Sequence, residues 1–281
     1  MAALSPELNA RRVRRPWQQP YFWFIIPALI AYGILFLYPT IRSFYLSFFD
    51  WTGRGPIGEF IGFQNFRDVF ANSPFGLYAM NSLIVATAST GLSLLIGVPA
   101  GYGIAKARAY GLAAFVLISR MTPGLSFLIP WFMLFRFLGL NNTLWALIIT
   151  HLVIGLPITI WVMMGFFEDL HPEIEEAALV DGAGIWAAFR DVALPLARPG
   201  MVVAAILSFI FSWNNFIFAV VLAGRETRTL PVAVFNVLTF EQLRWGALAA
   251  AAIVVTLPVL ILAVFVQRQI VVGMTAGGMK G

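Results

Sequence analysis

The sequence contains no cysteine, only two histidines and two lysines in 281 residues, and just 11% of it is charged. Without thiols there are no disulfides and no thiolate metal sites, and the redox compartment leaves no trace. His151 and His171 stand in no H-E-x-x-H or comparable ligand spacing, so no metal centre is expected. A soluble globular domain carries roughly 25% charged residues and about 45–50% apolar ones. This chain is 60% hydrophobic. A water-soluble fold of this size lacks the interior to hide so many apolar side chains. Disorder is excluded as well, because 26 Phe, 9 Trp and 7 Tyr are the opposite of a low-hydrophobicity composition. Most of the chain must face lipid.

A helix needs about 20 mainly apolar residues to cross the hydrocarbon of a bilayer. Six stretches qualify: 21–41, 81–105, 112–138, 143–167, 200–223 and 246–267. A lipid-facing barrel would show short segments of alternating polarity instead, so the fold class expected is all-α, a polytopic bundle of six transmembrane helices. The first run is too long for the 7–15-residue core of a secretory signal and reads as a retained span. The organisation expected is a cytoplasmic N-terminal segment (1–20), a membrane domain (21–267) and a cytoplasmic tail (268–281).

Basic residues flanking the spans set the orientation. With the N-terminus in the cytoplasm, ten lysines and arginines fall inside and seven outside, with Arg120 inside the third span. The cluster Arg11, Arg12, Arg14 and Arg15 and the short Lys106–Arg108 loop carry most of this bias. Both termini are then cytoplasmic. Spread singly elsewhere, the basic residues give no nucleic-acid patch despite a net charge of +5.

None of the thirteen carboxylates falls inside a span. An ion-coupled carrier usually keeps a titratable or ligating group at depth, so this speaks against a self-contained secondary carrier, although unwound carbonyls sometimes substitute. There is no G-x-x-x-x-G-K-[ST] loop to bind ATP and no G-x-S-x-G elbow to support an esterase. His151 reads as an interhelical hydrogen-bonding group. An enzyme is the weakest reading, and any energy for transport must enter through another subunit.

Residues 168–199 form the one substantial inner loop and hold seven of the thirteen acids. Pro172 can begin a helix, with Glu173, Glu175 and Glu176 near its positive end. Gly182 and Gly184 supply a turn that tolerates positive φ. A second short helix, Ile185 to Val192, is expected to end near Leu194-Pro195. The product is a compact cytoplasmic knob whose alanines permit close approach by another protein.

Within it, Glu176-Ala177-Ala178, Gly182 and Val192-Ala193-Leu194-Pro195 match the pattern E-A-A-x3-G-x9-I-x-L-P, with Val192 in place of Ile. This resembles the signature of permease subunits from bacterial binding-protein-dependent ABC importers. Pro123, Pro130 and Leu138-Gly139-Leu140-Asn141-Asn142-Thr143 look like the third span and following turn of the carbohydrate branch. Trp213-Asn214-Asn215-Phe216 looks like its W-N-[DN]-F. Thr275 to Gly281 is similar to the tail of its maltose-type members. The first 70 residues, with Tyr38-Pro39 and Gly62-Phe63-Gln64-Asn65-Phe66, look more like the partner permease of such pairs.

The resemblance implies a permease of the bacterial inner membrane that moves a sugar or polyol by alternating access. Its implied partners are a second permease subunit (as a heterodimer), two ATPase subunits, an external solute-binding protein and the sugar. No cofactor is implied on this chain, ATP being bound by the partners. The ATPase-coupling loop would comprise Glu176, Ala177, Ala178, Gly182, Val192, Leu194 and Pro195, and Thr275, Gly277 and Gly278 would be tail contacts with the ATPases. Trp213, Asn214 and Asn215 are substrate-path candidates, since indole faces stack on sugar rings and amides bond hydroxyls. Arg120 is given no family role; the Thr122-Pro123-Gly124 sequence after it would loosen the helix and free carbonyls. The rival readings are an importer of the same class for a non-sugar solute and an ATP-independent carrier.

Overall fold

The computed structural model describes residues 22–53, 55–71, 73–121, 124–239 and 244–277. Helices make up nearly all of it. Among the described residues the only β pairing is an isolated antiparallel bridge between Phe49 and Phe60. Four helices are each long and apolar enough to cross a membrane: α1 (Phe22–Leu46), α3 (Phe75–Ala107), α6 (Leu144–Glu168) and the first part, Trp245–Phe265, of α12 (Trp245–Gly277).

The other two spans are broken, the third where Thr122-Pro123-Gly124 is expected to loosen the helix and the fifth where a continuous helix is expected. The third is α4 (Tyr110–Met121) followed by α5 (Gly124–Phe137), bent by 82°. The sequence between them is Thr122-Pro123, and a proline disfavours helical backbone at the residue before it. The fifth is α9 (Arg198–Trp213), only 16 residues long, continued by α10 (Ile217–Leu222) after a break at Asn214-Asn215-Phe216. The apolar residues on either side keep the run long enough to count as one span, although Thr122-Pro123-Gly124 and Asn214-Asn215 interrupt it locally.

The centre of the molecule is α3 packed on α6, with α9 laid against both. The closeness of α3 and α6 has a specific origin. A Cβ on Gly97 would meet Thr159 at 2.7 Å, and one on Gly101 would meet the Met163 Cβ at 2.9 Å. Gly97 and Gly101 are four residues apart, one turn of the same face, so the two backbones can approach as small-residue membrane interfaces do. A polar seam runs through this centre. The Ser89 hydroxyl donates to Ser212 Oγ at 3.0 Å, and Ser212 Oγ lies 2.7 Å from His151 Nδ1. Thr159 and Ser208 hydroxyls pair at 2.9 Å. His151 is thus an interhelical bonding group.

Two connecting segments are stapled at the end of the bundle opposite the knob. Asn65, on the short helix α2 (Gln64–Ala71), donates its amide to the Ser47 and Phe49 carbonyls, both at 2.9 Å. Arg244 bonds Asp68 at 2.9 Å, beside the start of α12. Asn81 on α3 donates to the Glu226 and Arg228 carbonyls, at 2.7 and 2.9 Å, just before α11 (Leu230–Thr239). In contrast, the hydrophobic body of α1 has no buried residue before Leu46, and most of its aromatic and aliphatic side chains are exposed.

Candidate functional site

Residues 168–199 fold as a knob of two helices, α7 (Pro172–Val180) and α8 (Ile185–Leu196), and α8 meets α9 at 73°. Pro172 occupies the first turn of α7, with Glu173 and Glu175 beside it. Helix α8 runs four residues beyond the expected Val192. Its middle, Ala188–Ala193, is a π-helical segment, and Leu194–Leu196 resumes as α-helix. Pro195 lies in the last turn of α8, which ends one residue later at Leu196. The bend comes at Ala197, followed by Arg198-Pro199.

Gly182 forms the turn with φ +89° and open space around it. Glu176 and Ala177 are exposed and Ala178 is half-buried on α7, while Val192, Leu194 and Pro195 are half-buried on the inner side of α8. Between them, the tip presents an apolar surface that sequence reasoning passed over: Val180 is 86% exposed, Trp186 74% and Ile185 73%. An aromatic and two aliphatic side chains around one turn is unusual for a surface that remains in water. Arg190 grips Asp191 with two hydrogen bonds, at 2.7 and 2.9 Å, which hold that carboxyl below its ordinary pKa.

The knob sits on an aromatic base. Phe167 at the end of α6, Phe189 of α8 and Tyr102 of α3 form one cluster, with ring centroids 4.7 to 6.2 Å apart. Glu175, rather than Glu176, is the acid turned inward, toward Tyr102 and Lys106. Tyr102 lies 73 positions before Glu175. The only sequence cue to this base was the Tyr-x-x-x-Lys spacing at the end of the second span.

The second site is a cleft of ≈ 650 Å³ where both broken spans meet. Arg120 from α4, Phe127 and Trp131 from α5, Pro157 from α6, and Phe211, Asn214 and Asn215 from the α9–α10 break line it. Arg120 is the one charged residue of this lining, and its guanidinium lies 4.7 Å from the Phe211 ring centroid. The three residues marked from sequence separate here. Asn214 is exposed, its amide donating to the Ile210 carbonyl at 2.9 Å, and Asn215 accepts from the Phe218 amide to start α10. Trp213 points elsewhere. It is 5% exposed, stacked on Phe209, and its indole N–H donates to the Val255 carbonyl of α12 at 2.9 Å. Among the tail residues, Thr275 and Gly277 lie on the last turn of α12, and Gly278 is outside the described residues.

The fold is a helical membrane bundle with a two-helix knob between its fourth and fifth spans. Residues 93–275 match the family of binding-protein-dependent transport system inner membrane components, and the chain belongs to that family. It is therefore a multi-pass inner-membrane transport subunit. It is 34% identical over 271 residues to the trehalose transport system permease protein SugB of Mycobacterium tuberculosis, covering 92% of this chain and 97% of the relative. It is 32% identical to the trehalose/maltose transport system permease protein MalG of Thermococcus litoralis, covering 92% and 96%. Its fold matches a chain in the crystal structure of a bacterial ABC transporter that imports the acidic polysaccharide alginate. That match has a TM-score of 0.70 and 24% identity, and covers 88% of this chain and 96% of that one.

Proposed function

We propose that this chain is one of two permease subunits of an ATP-driven importer that takes a sugar or polyol across the inner membrane by alternating access. Two ATPase subunits supply the energy and an external solute-binding protein delivers the substrate. The knob carries this reading. Its solvent-facing tip combines Val180, Ile185 and Trp186 with the exposed Glu176, and a rigid aromatic base holds it against the ends of α3 and α6. An apolar tip with an acidic flank suits a groove on another protein, and movement of that groove would be felt by the central helices. The relatives, named for trehalose and maltose transport, support a saccharide as the substrate class.

The substrate path is assigned to the cleft, with Asn214 and Asn215 as hydroxyl partners and Phe211 and Trp131 as apolar walls. Trp213 is assigned to packing against α12, and the tail residues Thr275, Gly277 and Gly278 to a contact with the ATPases. The knob is tested by co-purifying Trp186→Asp and Glu176→Lys variants with the ATPase subunits, then measuring ATP hydrolysis stimulated by the loaded binding protein in liposomes. Loss of association or of stimulation is expected. Normal behaviour of both variants would remove the coupling role, and substrate transport by the chain alone, without ATPase, would replace the importer reading with that of a carrier.

A further inference from the structure

The knob is fastened sideways to a helix that has no part in its sequence motif. The Tyr102 hydroxyl donates to one carboxylate oxygen of Glu175, and the Lys106 ammonium pairs with the other. Lys106 Nζ also lies 5.8 Å from the centre of the Tyr102 ring. That ring meets Phe167 of α6 edge-on at 5.2 Å and Phe189 of α8 at 4.7 Å. A single side chain therefore touches α7 through its oxygen and both α6 and α8 through its ring. Glu175 is correspondingly withdrawn, its side chain 12% exposed, while Glu176 beside it is open.

Helix α7 has no buried residue of its own. A force on its outer face could be absorbed by bending at the Gly182 turn, where φ is +89° and nothing packs. The tie to Tyr102 and Lys106 closes that route, because α3 is a 33-residue helix running through the packed centre of the molecule. We infer that Tyr102, with Lys106 and Glu175, is a positioning set that clamps the knob to α3, so that displacement of the knob moves the central helices with it. The inference rests on the coupling role proposed above.

The test uses the complete complex in liposomes: substrate taken up per ATP hydrolysed, basal hydrolysis, and the amount of ATPase subunit that co-purifies. Tyr102→Phe keeps the ring and loses only the donor oxygen. It should lower uptake per ATP about tenfold, the equivalent of a hydrogen bond to a charged group, with assembly and basal hydrolysis unchanged. Lys106→Glu and Glu175→Lys should each uncouple, and the double reversal should recover part of the loss. Uptake per ATP at the unmodified level in both Tyr102→Phe and Glu175→Gln would overturn the clamp, as would a double reversal no better than either single change. Gly182→Val in the same assay separates the two ideas. Uncoupling there with normal Tyr102→Phe and Glu175→Gln removes the clamp and leaves the docking knob, whereas normal coupling in every variant removes both.

Discussion

Gly182 illustrates how a single residue acts here through backbone alone. Its φ of +89° is a conformation that side chains resist, and no atom stands where a Cβ would go. The cost of Gly182→Val is therefore conformational, of order 1–2 kcal/mol for a left-handed position, and not steric. Gly182→Asn should cost less, because asparagine visits that region. The expected order in substrate-stimulated ATP hydrolysis is native, Asn, then Val; equal activity of Asn and Val variants would contradict a backbone origin. A second residue-scale contrast concerns Trp213 and Asn214, neighbours with opposite surroundings. Trp213→Phe breaks the bond to the Val255 carbonyl and should lose about 1 kcal/mol of stability, read as a lower unfolding temperature in detergent, with the KM of uptake unchanged. Asn214→Ala should raise that KM and leave the unfolding temperature alone. Sequence grouped these residues because both sit mid-span in one motif. Which of them faces the cleft depends on the break that follows, and residue types do not encode a side chain's heading across a broken helix.

At the scale of elements, the six apolar runs and the knob were legible because lipid imposes length and the motif imposes spacing. Of the two breaks, Thr122-Pro123-Gly124 foreshadowed the one in the third span, and only the one in the fifth was not legible. Leu125, Phe127, Ile217 and Phe218 follow the breaks directly and keep each run apolar as a whole. Tyr102 was missed for a different reason: its partners Phe167, Glu175 and Phe189 come from three other elements, and only folding assembles them. The packing of α3 on α6 offers a direct test. A side chain at Gly101 has the Met163 Cβ at 2.9 Å and the Ile160 carbonyl oxygen at 3.0 Å, both backbone-fixed neighbours that cannot rotate away. Gly101→Leu should destabilise by about 1–3 kcal/mol through overpacking, measured as reduced thermal stability of the purified protein. Gly103→Leu, two positions on and with nothing within 4 Å, is the control and should be near neutral. Equal losses at both positions would mean that interhelical approach at Gly101 does not set the cost, since helix propensity alone favours leucine over glycine at both.

At the scale of the whole molecule, length fixes which parts lie beyond the hydrocarbon. Helix α3 has 33 residues, about 50 Å at 1.5 Å per residue, against roughly 30 Å of bilayer core. Its surplus includes the Tyr102–Lys106 end, where an exposed lysine and an acidic knob can sit in water. The same knob closes back on α3 and α6, so its charged groups need not enter lipid. Ser73 lies at the opposite end of α3, and Gly246, at the start of α12, bonds the Trp51 carbonyl on that same side. Helix α12 then runs 33 residues to Gly277, which returns the chain to the side of the knob. The basic residues counted along the sequence predict a direction for this geometry, with the knob on the cytoplasmic side. Because the chain has no cysteine, single cysteines can report each position without background. Ser73→Cys should react with an impermeant maleimide only from outside, and Asp181→Cys and Thr275→Cys only after the membrane is opened. Labelling of Ser73 and Asp181 from the same side would break the link between helix length and topology. Labelling of all three in the reverse sense would keep the fold and turn the knob outward, where no ATPase could reach it.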